Sequence, residues 1–163
     1  MEVHEAIARL DELASAAEEG LPEELFLFVS RLTPLINVDL LIQDESKRTL
    51  MTWRDDEYFG QGWHLPGGVI RYKERVVERI QKCADEELGV AVDFESSPTV
   101  IVETAEERKT RGHFISLLYR CTLHDGPDPK RQAGENPKIG EWKWHGGCPE
   151  NILKVQRVYQ KYF

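Results

Sequence analysis

The stretch Gly68–Val90, GVIRYKERVVERIQKCADEELGV, is the most strongly patterned part of this 163-residue chain. Its apolar residues recur at the three- and four-residue spacing of one helix face, namely at Val76, Val77, Ile80, Ala84 and Leu88. Gly89 follows directly, and glycine commonly ends helices because it adopts the left-handed conformation at little cost. The pattern predicts a helix over residues Lys73–Leu88.

Two glycines come shortly before this helix, and two glutamates stand at its end. Gly67 and Gly68 allow a sharp turn, at which a bare carbonyl can reach a cation. The adjacent carboxylates of Glu86 and Glu87 repel each other unless a cation or a basic residue neutralises them. Such hard oxygen ligands suit Mg²⁺ or Mn²⁺, which bridge substrate phosphates and can activate water. The alternative is a solvated acidic helix end without a function.

This segment resembles the Nudix box, G-x5-E-x7-R-E-U-x-E-E-x-G-U, in which U is aliphatic. The matching residues are Gly68, Glu74, Ala84, Glu86, Glu87, Gly89 and Val90. Lys82 replaces the arginine of the box, and lysine lacks the rigid fork with which arginine holds a carboxylate. Cys83 replaces the first glutamate of the REUxEE unit. A thiol is a poor ligand for Mg²⁺, and the helical spacing of Cys83 with Val76 and Ile80 indicates a packing residue.

The resemblance implies an α+β fold, the Nudix fold, in which helices sandwich a mixed β-sheet. It also implies a Mg²⁺-dependent hydrolase of nucleoside diphosphate derivatives. The metal would be held by the Gly67 carbonyl, Glu86 and Glu87, and both glutamates are candidate catalytic residues. Lys82 is a further catalytic candidate, because it keeps a positive charge that could neutralise phosphate.

The front of the chain resembles one branch of this family, the GDP-mannose mannosyl hydrolases. The resemblance covers roughly residues 23–123 and rests on ELFLFVSRLTPLINVDLLIQD and GQGWHLPGG. That branch also lacks the first glutamate of the REUxEE unit. Arg54 matches its nucleotide-contacting basic residue, and His113 matches one of its histidines. The resemblance therefore implies that Arg54 contacts the substrate, which would be a nucleoside diphosphate sugar. His113 is a candidate substrate contact, with a partly buried strand histidine as the alternative.

The C-terminal part departs from that branch, which has a Gln-His pair before its last strand and uses the histidine as general base. Residues 138–141 are Lys-Ile-Gly-Glu and contain no histidine. Glu141 instead stands where many other Nudix enzymes carry an acidic residue, and Glu135 lies in the same loop. Glu141 or Glu135 is the candidate base or additional ligand, and phosphoanhydride hydrolysis stays possible.

Further substrate contacts are predicted near the box. Trp63, Tyr58 and Phe59 could stack on a base, with ordinary packing as the alternative. Arg71 lies near the metal turn and could contact a phosphate, although a surface salt bridge would explain it equally well. For His64 we expect a strand position facing solvent rather than a phosphate contact.

The composition excludes several classes of protein. A net charge of −8 argues against a general nucleic-acid surface, which would be basic. No apolar run is long enough to span a membrane, and the acidic, amphipathic start is not a signal peptide. Three widely spaced cysteines without a CxxC pair suggest neither a zinc site nor a disulfide framework. We therefore expect a cytoplasmic protein that binds neither nucleic acid nor membrane.

The order of patterns predicts two parts. Helical spacing over residues 4–18 and a second helix between Pro22 and Pro34 form an N-terminal extension, residues 1–33. Residues 34–163 form the Nudix domain, with strands at NVDLLIQD, RTLMTW, SPTVIVETA, HFISLLYRCTL and GEWKWH and a closing helix in ENILKVQRVYQKYF. The apolar stripe of the first helix should pack on the domain or on a second subunit, and we expect a homodimer.

Three functions remain open from the sequence. The leading hypothesis is a Mg²⁺-dependent hydrolase of a nucleoside diphosphate sugar similar to GDP-mannose. A Nudix-fold nucleotide-binding or regulatory module with impaired catalysis is the second, because Lys82 and Cys83 replace box residues. A nucleoside triphosphate pyrophosphatase is the third, and the long N-terminal resemblance argues mildly against it.

Overall fold

A computed structural model describes residues 2–163 of the chain. Three α-helices are present: α1 (Val3–Leu13), α2 (Glu23–Val29) and α3 (Val76–Leu88). The strands are β1 (Leu35–Ile42), β2 (Thr49–Asp56), β3 (Gly60–His64), β4 (Gly67–Val69), β5 (Val92–Phe94), β6 (Val100–Ala105), β7 (His113–Leu123) and β8 (Trp142–His145). Two 3-10 helices span Pro129–Arg131 and Lys154–Tyr162.

The strands form two sheets. The larger sheet has the order β4-β1-β7, and the other side of β7 pairs with β6 and, further along, with β5. Strands β1 and β7 are parallel, whereas the other pairs in this sheet are antiparallel. The smaller sheet is antiparallel, in the order β3-β2-β8. The mixed sheet agrees with the predicted α+β class.

The period-two alternation of strand β1 explains how the larger sheet comes to lie between helices. Val38, Leu40 and Ile42 point to one face and join a core cluster with Ile80 and Leu88 of helix α3. Leu41 points to the opposite face and joins a second cluster with Tyr159 of the C-terminal 3-10 helix. Asp39 also lies on this opposite face, so a carboxylate is carried into the interior.

Helix α3 ends as the sequence predicts but begins later. Gly89 has a φ of 68°, the left-handed conformation of a helix end. The predicted start at Lys73 was wrong by three residues, because Lys73 itself has a φ of 60° and Arg75 is extended. The first turn is then closed by Glu78, whose carboxylate accepts a hydrogen bond from the Arg75 amide at 2.9 Å.

The two N-terminal helices differ in how they meet the domain. Helix α1 ends at Leu13, earlier than predicted, and it buries no residue; Val3, Ile7 and Leu13 are 76%, 52% and 57% exposed. Its apolar stripe therefore does not pack on its own domain. Helix α2 does, through the buried Leu25. The division between residues 33 and 34 stays a prediction.

The C-terminal segment forms a 3-10 helix rather than the expected longer helix from Glu150. It buries Gln156 and Tyr159 against the larger sheet. Strands β4 and β5 were not predicted, and of β3 only a strand position at His64 was expected. GQGWH and GGV are too short and too rich in glycine to show an alternating pattern, and VDF is too short. Among the described residues, 2–163, no helix combines the length and the apolar character required to cross a bilayer.

Candidate active site

A cavity of about 180 Å³ opens beside the glycine turn, between strand β1, the end of strand β2 and the C-terminal 3-10 helix. The polar side chains that line it and could contact a ligand or one another belong to Asp39, Arg54, His64, Arg111, Gln156 and Tyr159. Gly67 lies on the same wall and pairs with Asp39 across strands β1 and β4. The motif segment thus meets residues from four distant parts of the chain here.

Gly67 tolerates no side chain at this position. A Cβ atom would clash with the Val38 carbonyl oxygen and lie 2.9 Å from Oδ1 of Asp39. The missing side chain allows the backbone amide of Gly67 to donate a hydrogen bond of 2.7 Å to Oε1 of Glu87. The turn and the end of helix α3 are therefore joined directly.

Glu87 is partly buried, and both of its oxygens accept hydrogen bonds. Oε2 accepts from the Thr52 hydroxyl at 2.6 Å, in addition to the bond from Gly67. Burial raises the pKa of Glu87 to about 7, and the nearby charge of Asp39 adds to this shift, while the two hydrogen bonds and Arg54 oppose it. This carboxylate carries a charge that the protein alone compensates incompletely.

Asp39 is a second buried carboxylate at the same place. Burial raises its pKa to about 6, although hydrogen bonds from Tyr159 and Gln156 oppose the rise. The Tyr159 hydroxyl donates to Oδ2 at 2.7 Å, and the Gln156 amide donates to Oδ1 at 3.5 Å. Asp39 was not among the site residues predicted from the sequence. The available signal was a lone carboxylate in the otherwise apolar strand VDLLI.

His64 lies beside Thr52, the hydrogen-bond partner of Glu87. Its Nε2 lies 3.1 Å from the Thr52 hydroxyl, and its Nδ1 lies 2.7 Å from the Leu65 carbonyl oxygen. A carbonyl only accepts, so Nδ1 of the neutral ring carries the proton, and the single hydroxyl proton of Thr52 goes to Glu87 rather than to Nε2. Burial, and then the charge of Arg54, lower the pKa of His64 to about 3. The expectation that His64 faces solvent was wrong, because it lines the cavity.

The arginine missing from the motif is supplied three residues earlier. Arg79 donates to Glu74 from Nε at 2.8 Å and from Nη2 at 2.9 Å, and both side chains are 5% exposed. Burial alone would raise the pKa of Glu74, but bonds from Arg71, Arg79 and Lys82 bring it below its usual value. Lys82 adds an ion pair of 3.2 Å from the exposed side. Arg79 therefore provides the bidentate fork that Lys82 lacks.

Cys83 is buried against the glycine turn. A Cβ at Gly68 would lie 3.1 Å from its sulfur atom. Burial, and then the charge of Glu87, raise the pKa of Cys83 to about 12, so the group is a thiol at neutral pH. This environment fits the packing role. All three cysteines of the chain are free.

The sequence model of the NUDIX domain matches residues 33–146. The chain belongs to the Nudix family. Its predicted fold is confirmed, and so is its class as a Nudix hydrolase. Enzymes of this family act on small nucleotide-derived substrates and generally use divalent metals such as Mg²⁺.

Two curated relatives and one solved structure are similar to this Nudix hydrolase. The low-salt glycan biosynthesis protein Agl8 of Haloferax volcanii is 28% identical over 109 residues, covering 64% of this chain and 69% of that protein. The ADP-ribose pyrophosphatase of Methanocaldococcus jannaschii is 25% identical over 131 residues, covering 80% and 74%. The crystal structure of a MutT NUDIX hydrolase from Burkholderia pseudomallei superposes with a TM-score of 0.65 at 19% identity, over 80% of this chain and 98% of that one.

The structure brings only part of the predicted Nudix site to the cavity. Gly67 and Arg54 line it, and Glu87 is bonded to Gly67. Arg54 also forms an ion pair of 2.8 Å with Asp56. Glu86, by contrast, is exposed, and its backbone carbonyl accepts a hydrogen bond from Arg131.

Other predicted substrate contacts lie away from the cavity. Trp63 is buried, with its ring centroid 5.0 Å from that of Trp53, and so has no free face for a base. His113 pairs with Glu103 at 2.9 Å on the outer part of strands β6 and β7. Arg71 lines a different cavity of about 660 Å³ beneath the N-terminal helices.

The predicted base Glu141 lies just before strand β8. Its carboxylate accepts a hydrogen bond from the Lys138 amide at 2.9 Å, which closes a turn. Its backbone carbonyl accepts from the amide of Trp53, next to Arg54. The backbone at Glu141 is thus close to the site, while its side chain is used in the turn. Glu135 is exposed in the preceding loop.

The donors beside Gly67 are few but suit a divalent cation. Residues 2–163 contain no cluster of three or more acidic, histidine or cysteine side chains around one point. They do place two carboxylates beside Gly67, the partly buried Glu87 and the buried Asp39, and burial raises the pKa of both. Oxygen donors with incompletely compensated charge fit Mg²⁺, which retains several waters and needs few protein ligands. Glu87 and the Gly67 backbone would hold it.

Proposed function

We propose that this chain is a Mg²⁺-dependent hydrolase of nucleoside diphosphate derivatives, with a nucleoside diphosphate sugar similar to GDP-mannose as the preferred substrate. The observation that carries the proposal is the juxtaposition of Glu87, Gly67 and Arg54 in and beside one cavity. Carboxylates at one end can hold a cation, and a guanidinium nearby can bind a phosphate oxygen. A diphosphate bridges two such groups.

The metal would stabilise negative charge that develops on the diphosphate and would activate water. The residues of the chain have separate tasks around it. Glu87 is oriented by Gly67 and Thr52, and Arg54 neutralises phosphate. Glu86, as a further ligand, and Glu141, as general base, stay predictions, because the side chain of Glu86 is exposed and that of Glu141 closes a turn.

The names of the two relatives support this class of substrate. One is an ADP-ribose pyrophosphatase, and ADP-ribose is a nucleoside diphosphate joined to a sugar. The other takes part in glycan biosynthesis. Both names are compatible with sugar-linked substrates, and neither selects the base or the sugar.

A substrate panel with Mg²⁺ tests the proposal. It contains GDP-mannose, GDP-glucose, ADP-ribose, UDP-sugars and oxidised deoxynucleoside triphosphates, with the products separated by chromatography. Release of the nucleoside diphosphate and a free sugar indicates attack at carbon, whereas a nucleoside monophosphate and a sugar phosphate indicate attack at phosphorus. Preference for the triphosphates would replace the proposal with a pyrophosphatase.

The impaired binding module is the second candidate, and the buried thiol of Cys83 favours it. Restoring the motif with Lys82→Arg and Cys83→Glu separates the two candidates. A native protein that hydrolyses none of the panel, combined with a double variant that gains turnover, would establish the binding module. Turnover by the native protein establishes the enzyme.

The predicted homodimer and cytoplasmic location also stay proposals. The exposed apolar residues of helix α1 support association, because an amphipathic helix without a partner exposes area that a second subunit could bury. The free cysteines fit a reducing compartment.

A further inference from the structure

Three arginines gather around one aromatic ring that lines the active-site cavity. The guanidinium carbons of Arg54, Arg108 and Arg111 lie 5.0, 4.4 and 5.1 Å from the ring centroid of Phe59. Arg54 comes from strand β2 and Phe59 from the turn after it, whereas Arg108 and Arg111 come from the loop between strands β6 and β7. We call Arg54, Arg108 and Arg111 the arginine cluster.

The arginine cluster has more positive charge than nearby carboxylates neutralise. Arg54 is paired with Asp56, but neither Arg108 nor Arg111 forms an ion pair within residues 2–163. Nη1 of Arg108 donates to the Tyr58 carbonyl. Three other nitrogen atoms are buried, namely Nε and Nη2 of Arg108 and Nε of Arg111. None of them has a hydrogen-bond acceptor within residues 2–163. Buried donors without acceptors are costly, so the cluster suits an anion.

Two arginines of the cluster share the cavity with the glycine turn. Arg54, Phe59 and Arg111 line the cavity that Gly67 also lines. The charge of Arg54 lowers the pKa of Glu87, and it adds to the larger effect of burial in lowering the pKa of Arg111. Arg54 is therefore close to both groups. A bound diphosphate would have one phosphate beside Glu87 and the other beside the cluster.

Helix α2 holds the loop that carries the cluster. The backbone amide of Arg111 donates to the Ser30 hydroxyl at 3.0 Å, and the Arg111 guanidinium lies 5.5 Å from the ring centroid of Phe26. Arg111 has a φ of 52°, a backbone conformation that needs such support outside glycine. The N-terminal extension thus fixes the cluster in place.

We propose that Arg108 and Arg111, together with Arg54, form a subsite for the substrate phosphate that lies away from Glu87. This inference rests on the proposed function and extends it. It assigns recognition of the second phosphate to the loop between strands β6 and β7, outside the motif. A substrate with a single phosphate would use one end of the cavity and bind more weakly.

The test is isothermal titration calorimetry. Inorganic pyrophosphate or inorganic phosphate is titrated into the protein in the presence of EDTA. The variants are Arg111→Gln and Arg108→Gln. Arg31→Gln is the matched control, because Arg31 also stacks on a phenylalanine, 5.4 Å from the Phe28 ring centroid, but that ring does not line the cavity as Phe59 does. We expect pyrophosphate to bind about tenfold more weakly to each variant of the arginine cluster, the loss of one charge-assisted hydrogen-bonding group. The control should stay within about twofold of the native protein.

Pyrophosphate affinity unchanged in both Arg111→Gln and Arg108→Gln would overturn the subsite, and so would a native protein that binds no pyrophosphate. Thermal unfolding of each variant shows whether it is folded. If Arg111→Gln is not folded, the pyrophosphate affinity of Arg108→Gln decides whether the subsite exists. The substrate panel separates this inference from the proposed function. Arginine-dependent binding without hydrolysis of any nucleoside diphosphate sugar leaves the subsite and removes the function. Hydrolysis of a nucleoside diphosphate sugar, with unchanged pyrophosphate affinity in both arginine variants, keeps the function and removes the subsite.

Discussion

Glu87 joins the glycine turn, Thr52 and helix α3, and burial raises its pKa to about 7. Replacement by glutamine removes the charge but preserves the bonds: the amide oxygen can accept from Gly67, and the amide group can donate to Thr52. The hydroxyl of Thr52 is then free to donate to His64. We expect Glu87→Gln to lose activity at least about a hundredfold, as removal of a charge-stabilising group does.

The same substitution should stabilise the metal-free protein. The pKa of Glu87 is raised from 4.5 to about 7, so its contribution to stability is complete below pH 4.5 and is lost as the pH rises through 7. Urea unfolding in EDTA at pH 8 should give a free energy higher by about 1 to 3 kcal/mol. Glu86→Gln, at an exposed position, is the control and should not change stability. A destabilised Glu87→Gln would contradict the assignment.

His64 gives a second pH-dependent prediction, with the opposite sign. Its pKa is lowered from 6.5 to about 3, so the stability it contributes is present above pH 6.5 and is lost as the pH falls toward 3. In His64→Asn the amide can still donate to the Leu65 carbonyl. Relative to the native protein, the free energy of unfolding of this variant should rise by about 2 kcal/mol between pH 7 and pH 5. If the difference in free energy of unfolding between His64→Asn and the native protein does not change with pH, His64 is accessible to water.

The ion pair at Glu74 predicts unequal costs for its two cations. Arg79→Ala leaves a buried carboxylate without its fork and should lower the free energy of unfolding by about 3 kcal/mol or more. Lys82→Ala removes an exposed partner, 49% accessible, and should cost less than about 1 kcal/mol. Chemical unfolding measures both. Equal losses would show that Lys82 fills the role of the motif arginine.

Single residues also show where prediction from sequence stops. Gly67, Glu74 and Glu87 could be predicted because they lie within one turn and helix, where spacing fixes their geometry. Asp39, Arg111 and Tyr159 come from other elements and reach the cavity only through the pairing of the strands. Arg79 was missed because a positive φ at Lys73 delays the helix, and the spacing alone does not show which cation then reaches Glu74.

At the level of elements, helices α1 and α2 should differ in their contribution to stability. Deletion of residues 2–13 removes no buried side chain and should change the free energy of unfolding by less than about 1 kcal/mol. Leu25→Ala in α2 removes a buried side chain and should cost about 2 kcal/mol or more. Thermal and urea unfolding compare them. A large loss on deletion of α1 would indicate a contact made in the assembled protein.

The elements that sequence patterns predicted best are long. Strands β1, β2 and β7 are rich in apolar residues, and β1 and β2 are largely buried on both faces. The end of helix α3 follows the apolar spacing of one helix face. Strands β3 and β4 have no such pattern, because their glycines serve close packing: a Cβ at Gly62 would lie 2.5 Å from the Asn151 carbonyl oxygen. Close approach of distant backbones cannot be derived from local spacing.

At the level of the whole molecule, the exposed stripe of helix α1 predicts association. If Val3, Ile7 and Leu13 meet a second subunit, light scattering should show a dimer, and Ile7→Glu should shift it toward monomer without loss of secondary structure. Glu12→Gln on the same helix is a control for a change of charge alone. A native protein that is monomeric at high concentration would remove the homodimer proposal.

The hydrogen bond between Tyr159 and Asp39 joins residues 120 positions apart. During synthesis on the ribosome, strand β1 and the motif helix emerge long before Tyr159 does, and domains generally fold as the chain appears. Until that tyrosine arrives, the carboxylate of Asp39 lacks its strongest partner and the cavity lacks one wall. An incomplete chain would therefore carry every residue of the motif and still have no finished pocket.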